Sequence, residues 1–358
     1  MSEANISAWA TWREIRAQPS IWRQWSTVCD FASHQSWINK QSFDEVWFCG
    51  AGTSQFIGDI IAAGLEGQRG GYRFRSVATT DLVTRPEAYL RDRKPLVVSF
   101  GRSGNSSESL GTLDVLDVLV PMAPRLNITC NADSALSTRQ SAFSRAIILP
   151  PETHDSGFAM TSSFSTMLLT ALMLFSTDAM TPERLVRAAD NFDLVQPRML
   201  SEISNAPDRA VFLGTGAMAY AAREASLKVM ELSAGKIPCL WDSVLGFRHG
   251  PKSFVTDATE IVVFTTLHDP AAQYEADLIA ELCQQFPEAK VTSIGPDADI
   301  NLAHPDGAVW AAPNAILYAQ LAGATWSHAG GLNVDNPFEG QGTLSRVVSG
   351  VRLYGVVT

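Results

Sequence analysis

Three short stretches of the chain hold side chains whose types and spacing suit proton transfer on a bound anion. In AREASLKVMELSAGK, Glu224, Lys228 and Glu231 stand at i, i+4 and i+7, so they share one face of a helix. Such a face is commonly a solvated run of ion pairs. Here, however, Glu231 falls near the helix end, just before Gly235, and a histidine loop follows. That loop, WDSVLGFRHGPKS (residues 241–253), sets His249 between Arg248 and a Gly-Pro turn. Taken alone it reads as a solvated turn. A carboxylate and an imidazole near one sugar phosphate are nevertheless what a proton shift between adjacent carbons needs. A base takes the proton from C2 and returns it at C1, while a second group moves a proton between O5 and O1 to open the ring. Lys228, one turn from Glu231, is spaced to pair with it.

The third stretch, GRSGNSSES (101–109), follows the apolar run PLVVSF and opens the helical pattern LGTLDVLDVL. Backbone N–H groups at such a helix start, with the hydroxyls of Ser103, Ser106 and Ser107, form an anion cradle. A serine-rich N-cap turn would look the same. The loop has no lysine at the Walker position and no GxGxxG, so a single phosphate fits it better than a nucleotide. Gly50-Ala51-Gly52-Thr53-Ser54 ends another apolar run in the same plan, and ligands of open α/β sheets bind at the carboxyl edge where such loops meet.

The elements that must position these stretches occur twice. EVWFCGAGTSQFIGDIIAAGL is an apolar run, a glycine turn and a helical pattern; RAVFLGTGAMAYAAREASLKVMEL repeats it, with Gly214-Thr215-Gly216 in place of Gly50-Ala51-Gly52. Then LVVSF matches EIVVFTT, RLNITCN matches AKVTSIG, and RAIILP matches GAVWAAP. Each copy closes on an apolar helical stretch, FSTMLLTALMLF or NAILYAQLAGATW. Strands alternating with helices predict an α/β fold, a parallel sheet covered by helices on both faces, present as two tandem domains. The expected boundaries are an N-terminal helical segment at 1–40, a first domain at 41–195 and a second at 205–358, divided by the polar QPRMLSEISNAPDR. In the second copy SFGRSGNSSES becomes FTTLHDPAAQY, without the glycines and most hydroxyls, so the anion chemistry is expected in the first copy only. Trp9, Trp12, Trp22, Trp25 and Trp37, at roughly helical spacings, predict amphipathic helices packed on the body.

Composition narrows the partners. The chain has 358 residues, 46% hydrophobic and 18% charged, enough for two ordinary cores. A net charge of −10 offers no global field for nucleic acid or an anionic membrane, so an anionic ligand needs local donors. Cys29, Cys49, Cys130, Cys239 and Cys283 form no CxxC pair and have no histidine at metal spacing; they read as thiols of a reducing compartment. The opening residues lack a signal-peptide layout, and TMLLTALMLF is too short to span a bilayer, so a soluble, cytoplasmic protein is expected. Nothing in the sequence calls for a metal or redox cofactor.

The same residues carry a family likeness. GAGTS and SFGRSGNSSES resemble the phosphosugar loops of sugar isomerase (SIS) domains. KVMELSAGK and FRHGPKS resemble the glutamate helix and histidine loop of the isomerase half of glucosamine-6-phosphate synthase. A longer series in chain order is similar to the AgaS-type proteins of the N-acetylgalactosamine pathway: TWREIRAQP, GAGTSQFIGDI, TTDLVT, SFGRSGNSSES, ETHDSGFAMTSS, AREASLKVMEL, GFRHGPKS and LSRVVSGV. The resemblance implies two tandem SIS domains of flavodoxin-like plan. It implies Glu231 as the isomerising base, with Lys228 beside it, and His249 as the ring-opening residue, which the synthase relatives contribute across a dimer. It also implies substrate and phosphate contacts from Gly52, Ser54, Arg102, Ser103, Gly104, Asn105, Ser106, Thr161 and Arg346, with Thr53 near the sugar hydroxyls.

Two departures stand out. Gly101 replaces a serine of the synthase, and Arg346 replaces its C-terminal catalytic lysine, keeping a cation that titrates too high to exchange protons. The second argues against transfer of ammonia into a ketose, as does the lack of a glutaminase domain. The activity implied is conversion of D-galactosamine 6-phosphate to D-tagatose 6-phosphate and ammonia, under an older label of tagatose-6-phosphate ketose/aldose isomerase. The implied partners are a phosphosugar and further copies of the chain, as a homodimer or larger oligomer with the site near the interface. A simple ketose/aldose isomerase, a fructosamine-phosphate deglycase and a non-catalytic sugar-phosphate sensor are the alternatives; a sensor would need the serine loops but neither Glu231 nor His249. His154 and Asp155 of ETHDSGF suit a pocket wall and a capping role equally.

Overall fold

Short runs of strand-forming residues build two five-stranded parallel sheets. The computed structural model describes residues 3–68, 72–139, 141–177, 181–342 and 344–355. Ahead of the first sheet come α1 (Ala10–Val28) and α2 (Phe31–Asn39). Sheet 1 then follows the order β2-β1-β3-β4-β5, from β1 (Glu45–Gly50), β2 (Arg73–Ala78), β3 (Pro95–Gly101), β4 (Arg125–Thr129) and β5 (Ser144–Ile148). Its larger helices are α3 (Thr53–Gly64), α4 (Ser107–Leu119) and α5 (Ser162–Phe175), and α6 (Glu183–Glu202) leads on to the second sheet.

Sheet 2 has the matching order β7-β6-β8-β9-β10, from β6 (Arg209–Gly214), β7 (Cys239–Ser243), β8 (Thr259–Phe264), β9 (Lys290–Gly295) and β10 (Ile300–Asn301), with helices α7 (Ala217–Leu232), α8 (Ala271–Gln285) and α9 (Ala308–Ala329). The register repeats as well: Cys49 pairs with Ser99 between β1 and β3, and Leu213 with Val263 between β6 and β8. The duplication and the doubly wound parallel plan hold.

One matched element does not. GAVWAAP was expected as a strand, yet residues 308–313 form the first turns of α9. The edge position is taken by β10, only Ile300 and Asn301 long. A short alanine-rich apolar run has no period that separates strand from buried helix. The opposite edge strands, β2 and β7, were not anticipated either, because RFRSVA and CLWDS carry polar residues throughout.

The inner faces of both sheets share one core. Phe48 and Phe100 of sheet 1, Phe212 and Phe264 of sheet 2, and the apolar faces of α1, α3, α5, α7 and α9 belong to a single cluster. Outer clusters lie beneath α4 and α8. α1 packs on α6 and α5, and Trp12, Trp22 and Trp25 are buried there, as their helical spacing predicts. Trp25 Nε1 donates to Thr170 Oγ1 at 2.9 Å, and Trp22 meets Phe192 edge-on. His328 Nδ1 accepts from Trp9 Nε1 at 3.1 Å. All five cysteines are free. Among the described residues no helix is long and apolar enough to cross a membrane.

The two copies meet helix on helix. α3 and α7 run antiparallel: Asp59 pairs with Arg223 at 2.7 Å, Thr53 at the start of α3 touches Lys228 late in α7, and Gly64 at the end of α3 lies beside Ala217 at the start of α7. α7 therefore leaves the carboxyl edge of sheet 2 and delivers its C-terminal end, about 20 Å away, to the carboxyl edge of sheet 1.

Candidate active site

The site is assembled at the switch point of sheet 1, between the loops after β1 and β3. Both copies make the first of these loops in the same way. A Cβ at Gly50 would lie 2.4 Å from the backbone of Ser54, and one at Gly214 would lie 2.5 Å from that of Met218, so each strand turns tightly into its helix. Gly52 and Gly216 follow with φ of 56° and 58°, a left-handed conformation that glycine adopts without strain. Thr53 and Ser54 then open α3, both buried.

The loop after β3 forms an open cleft lined by Ala51, Ser54, Gly101, Arg102, Ser103, Gly104, Ser106 and Arg346. Ser106 is the N-cap of α4: its Oγ accepts from Ser109 N at 3.3 Å and shares a proton with Ser109 Oγ at 2.9 Å. The N-cap and the cradle are one arrangement, because a capped helix start aims its dipole into the cleft. Asn131 Nδ2 donates to Ser103 O at 3.1 Å and fixes the loop from β4. Asn105 turns the other way and accepts from Ala135 N at 2.8 Å, so it braces the loop and does not line the cleft.

Arg102 is buried and makes no salt bridge among the described residues. Its Nη1 donates to Gly157 O and Phe158 O, both at 3.1 Å, and its Nη2 to Arg346 O at 3.0 Å. Burial and then the nearby Arg346 pull its pKa below the ordinary arginine value, opposed by the charges of Asp155 and Glu231. The C-terminal segment closes over this loop: Ser107 N donates to Val348 O at 3.2 Å, Val351 N to Ser107 Oγ at 3.2 Å, and Arg346 Nε to Gly157 O at 3.1 Å.

Two expectations change. Thr161 is fully buried and donates its hydroxyl to Asp155 at 2.9 Å, so it stands behind the cleft and not in it. Asp155 takes the capping role: its two oxygens accept from the backbone N–H groups and hydroxyls of Thr161, Ser162 and Ser163 at the start of α5. His154 is half-buried; its pKa is lowered by burial first and then by Arg346 and Arg102.

The charged face of α7 reaches Thr53, as its spacing requires. Lys228 is completely buried, with Nζ 2.5 Å from Glu231 Oε2, 3.4 Å from Glu224 Oε1 and 3.1 Å from Thr53 Oγ1. Thr53 Oγ1 in turn donates to Glu224 Oε1 at 3.2 Å. Burial pushes the Glu224 carboxyl up to about 7, against the pull of Lys228. Burial alone would lower the ammonium of Lys228, but the two carboxylates outweigh it and hold its pKa above the ordinary lysine value. Glu231 is the partly exposed member of the group, its side chain 22% accessible against 0% for the other two. One carboxylate thus faces solvent beside a buried cation that touches Thr53, the residue before Ser54 of the cleft.

His249 lies elsewhere in its own chain. Phe247 packs with Val211, Leu213 and Leu282 in the cluster beneath α8, on the face of sheet 2 opposite α7. Arg248 and Lys252 both bind Glu281 of α8. The two short 3-10 turns Gly246–His249 and Pro251–Phe254 are thereby pinned, while His249 itself is exposed.

Known proteins resemble the chain along its length. The SIS domain family model matches residues 42–177. The D-galactosamine-6-phosphate deaminase AgaS of Escherichia coli O157:H7 is 39% identical, covering 97% of this chain and 97% of that protein. The protein of the same name from Shewanella sp. (strain ANA-3) is 35% identical, covering 98% and 93%. Among solved structures, the tagatose-6-phosphate ketose/aldose isomerase from Escherichia coli superposes with a TM-score of 0.86 at 37% identity, over 94% of this chain and 96% of that one.

Proposed function

The chain belongs to the AgaS-type family of SIS-domain sugar-phosphate enzymes, and from that premise we propose that it converts D-galactosamine 6-phosphate to D-tagatose 6-phosphate and ammonia. The observation that carries the reading is the meeting of two halves: an anion cradle built by the first copy and a carboxylate delivered to its edge by α7 of the second.

The phosphate sits in the loop 101–109, held by Ser103, Ser106, the dipole of α4 and the two arginines. The sugar then extends past Ser54 toward Thr53 and Glu231. With the ring open, Glu231 takes the proton from C2 and returns it at C1, and the C2–N bond becomes an imine. Water adds to that imine, ammonia leaves, and the C2 ketone of tagatose 6-phosphate remains. Lys228 holds the Glu231 carboxylate in place, and Thr53 ties the two copies together at the point of reaction.

Ring opening falls to His249 of a neighbouring copy. In its own chain the histidine loop is anchored across sheet 2 from α7, and His249 is exposed, which supports a role in an adjoining subunit's site. A mixture of Glu231→Gln and His249→Ala chains should therefore recover activity that neither variant has alone.

The direct test follows ammonia and ketose phosphate together, on galactosamine 6-phosphate, glucosamine 6-phosphate and tagatose 6-phosphate. Ammonia and ketose phosphate formed in equal amounts from the galacto epimer support the proposal. Aldose–ketose interconversion of tagatose 6-phosphate without ammonia from either amino sugar would contradict it.

A further inference from the structure

Four segments far apart in sequence converge behind the anion cradle, and the N-terminal helix is the one whose part the reaction leaves open. We propose that Glu14 is a positioning residue that acts through the Ser156–Phe158 turn to set Arg102 and Arg346 at the cradle. The inference rests on the sugar-phosphate reading of that cleft.

Glu14 lies on α1 and reaches the turn with both carboxylate oxygens. Its Oε1 accepts from Ser156 N and Ser156 Oγ, each at 2.6 Å, and its Oε2 accepts from Gly157 N at 3.3 Å. The approach is close enough to require glycine: a Cβ at Gly157 would stand 2.2 Å from Thr11 Oγ1 and 3.2 Å from Glu14 Oε2. The next peptide is tied to the same helix indirectly. Phe158 N donates to Asp335 O at 2.8 Å, while the Asp335 carboxylate accepts from Ala10 N, Thr11 N and Thr11 Oγ1 at the start of α1.

The far side of this turn is what the arginines hold. Gly157 O accepts from both Arg102 Nη1 and Arg346 Nε, and Phe158 O accepts a second bond from Arg102 Nη1. Arg102 Nη2 adds a bond to Arg346 O. Two guanidinium groups side by side repel, so in the absence of a ligand they keep their places only where fixed acceptors hold them. The carbonyls are fixed because the N–H side of the turn is locked onto Glu14 and Asp335. Removing the Glu14 carboxylate frees the turn, and with it the common support of both cations that flank the cleft.

The test is a titration of the full chain with inorganic phosphate by calorimetry, in the parent, Glu14→Ala, Arg346→Ala and the double variant. Glu14→Ala should weaken phosphate about tenfold, within the range of coupling in one hydrogen-bonded network, and the two losses should fall short of multiplying in the double variant. KM for the sugar phosphate should rise by a similar factor, with kcat changed less than about threefold. A merely structural Glu14 would lower the melting temperature and give losses that multiply. That result, or phosphate affinity unchanged in Glu14→Ala, overturns the proposal. Should Glu14→Ala fail to fold, Glu14→Gln serves. It keeps Oε1 for Ser156 but turns an amide against Gly157 N–H, and should show the same pattern with a loss of about threefold.

Phosphate binding does not depend on which sugar is turned over. A parent that binds phosphate but releases no ammonia removes the catalytic reading and leaves this comparison intact. Ammonia release with no effect of Glu14 on phosphate removes only the present inference, and a parent that binds no phosphate removes both.

Discussion

The loops after β3 and β8 leave equivalent strands of two sheets with the same order, yet one encloses an open anion cradle and the other is filled from within. In the first copy the cleft is lined by Ser54, Ser103, Ser106, Arg102 and Arg346. In the second, the Glu275 carboxylate of α8 takes the corresponding place. It accepts from Thr266 N at 2.7 Å and lies within 3.4 Å of Thr266 Oγ1, with Thr215 beside it at the position of Ala51. Burial raises the Glu275 pKa, and the hydrogen bond from Thr266 N–H opposes that shift. A cradle of backbone donors at a sheet edge is costly to leave empty of acceptors. In the second copy a side chain supplies the acceptor, and in the proposed reading a ligand does so in the first. In the proposed reaction the second copy, with its own loop filled, contributes α7, whose far end places Glu231 as the base for a ligand of the first copy.

This division of labour can be broken at several points. The largest expected effect is at the charge group that α7 brings across. Lys228→Met leaves Glu224 and Glu231 without their buried cation and should cost about 3–5 kcal/mol, read by denaturant unfolding. Stability close to that of the parent would mean that the ion group does not secure the meeting of the copies.

Next is the filled cradle. Glu275→Ala leaves Thr266 N–H without its acceptor and should cost about 1–3 kcal/mol. Added phosphate should then stabilise this variant more than the parent, because a second anion site has opened. An equal response in the two chains would show that Glu275 does not stand in for an anion. Ser106→Ala acts on the open cradle and should cost about 0.5–2 kcal/mol as a lost N-cap. It should also weaken phosphate, whereas the stability loss alone would reduce Ser106 to a cap.

The smallest effect is in a slope. Glu224 has its pKa raised by burial from 4.5 to about 7, so its contribution to stability is full below about pH 4.5 and is lost as pH rises through about 7. Glu224→Gln removes that titration, so thermal melts should move in favour of the variant between these two pH values. A parallel pH dependence in the two proteins would contradict the shift.

What the sequence disclosed follows from how local each signal is. The glycine turns, the i, i+4, i+7 spacing on α7 and the serine loop are short-range patterns, and each forms the element it predicts. The edges failed for the same reason in reverse: β2 and β7 are too polar to read as strands, and GAVWAAP is too uniformly apolar to read as a helix. Function hidden in the third dimension was less visible. Glu14 and Asp335 act on a turn more than 140 residues away in either direction, and no spacing rule links them to Gly157. Thr161 and Asn105 share motifs with residues that line the cleft, yet their side chains turn to Asp155 and Ala135. Adjacency in a motif fixes where the backbone goes, and the neighbouring loops decide which side chains remain free for a ligand.

The proposed reaction turns on one carboxylate from the second copy acting on a sugar phosphate held by the first. Glu231→Gln keeps the shape of that side chain and removes its basicity. Binding of galactosamine 6-phosphate should persist, while ammonia release should fall by about 10²–10⁴-fold, the usual size of a general-base effect. Ammonia release from galactosamine 6-phosphate at the parent rate by Glu231→Gln would contradict the account.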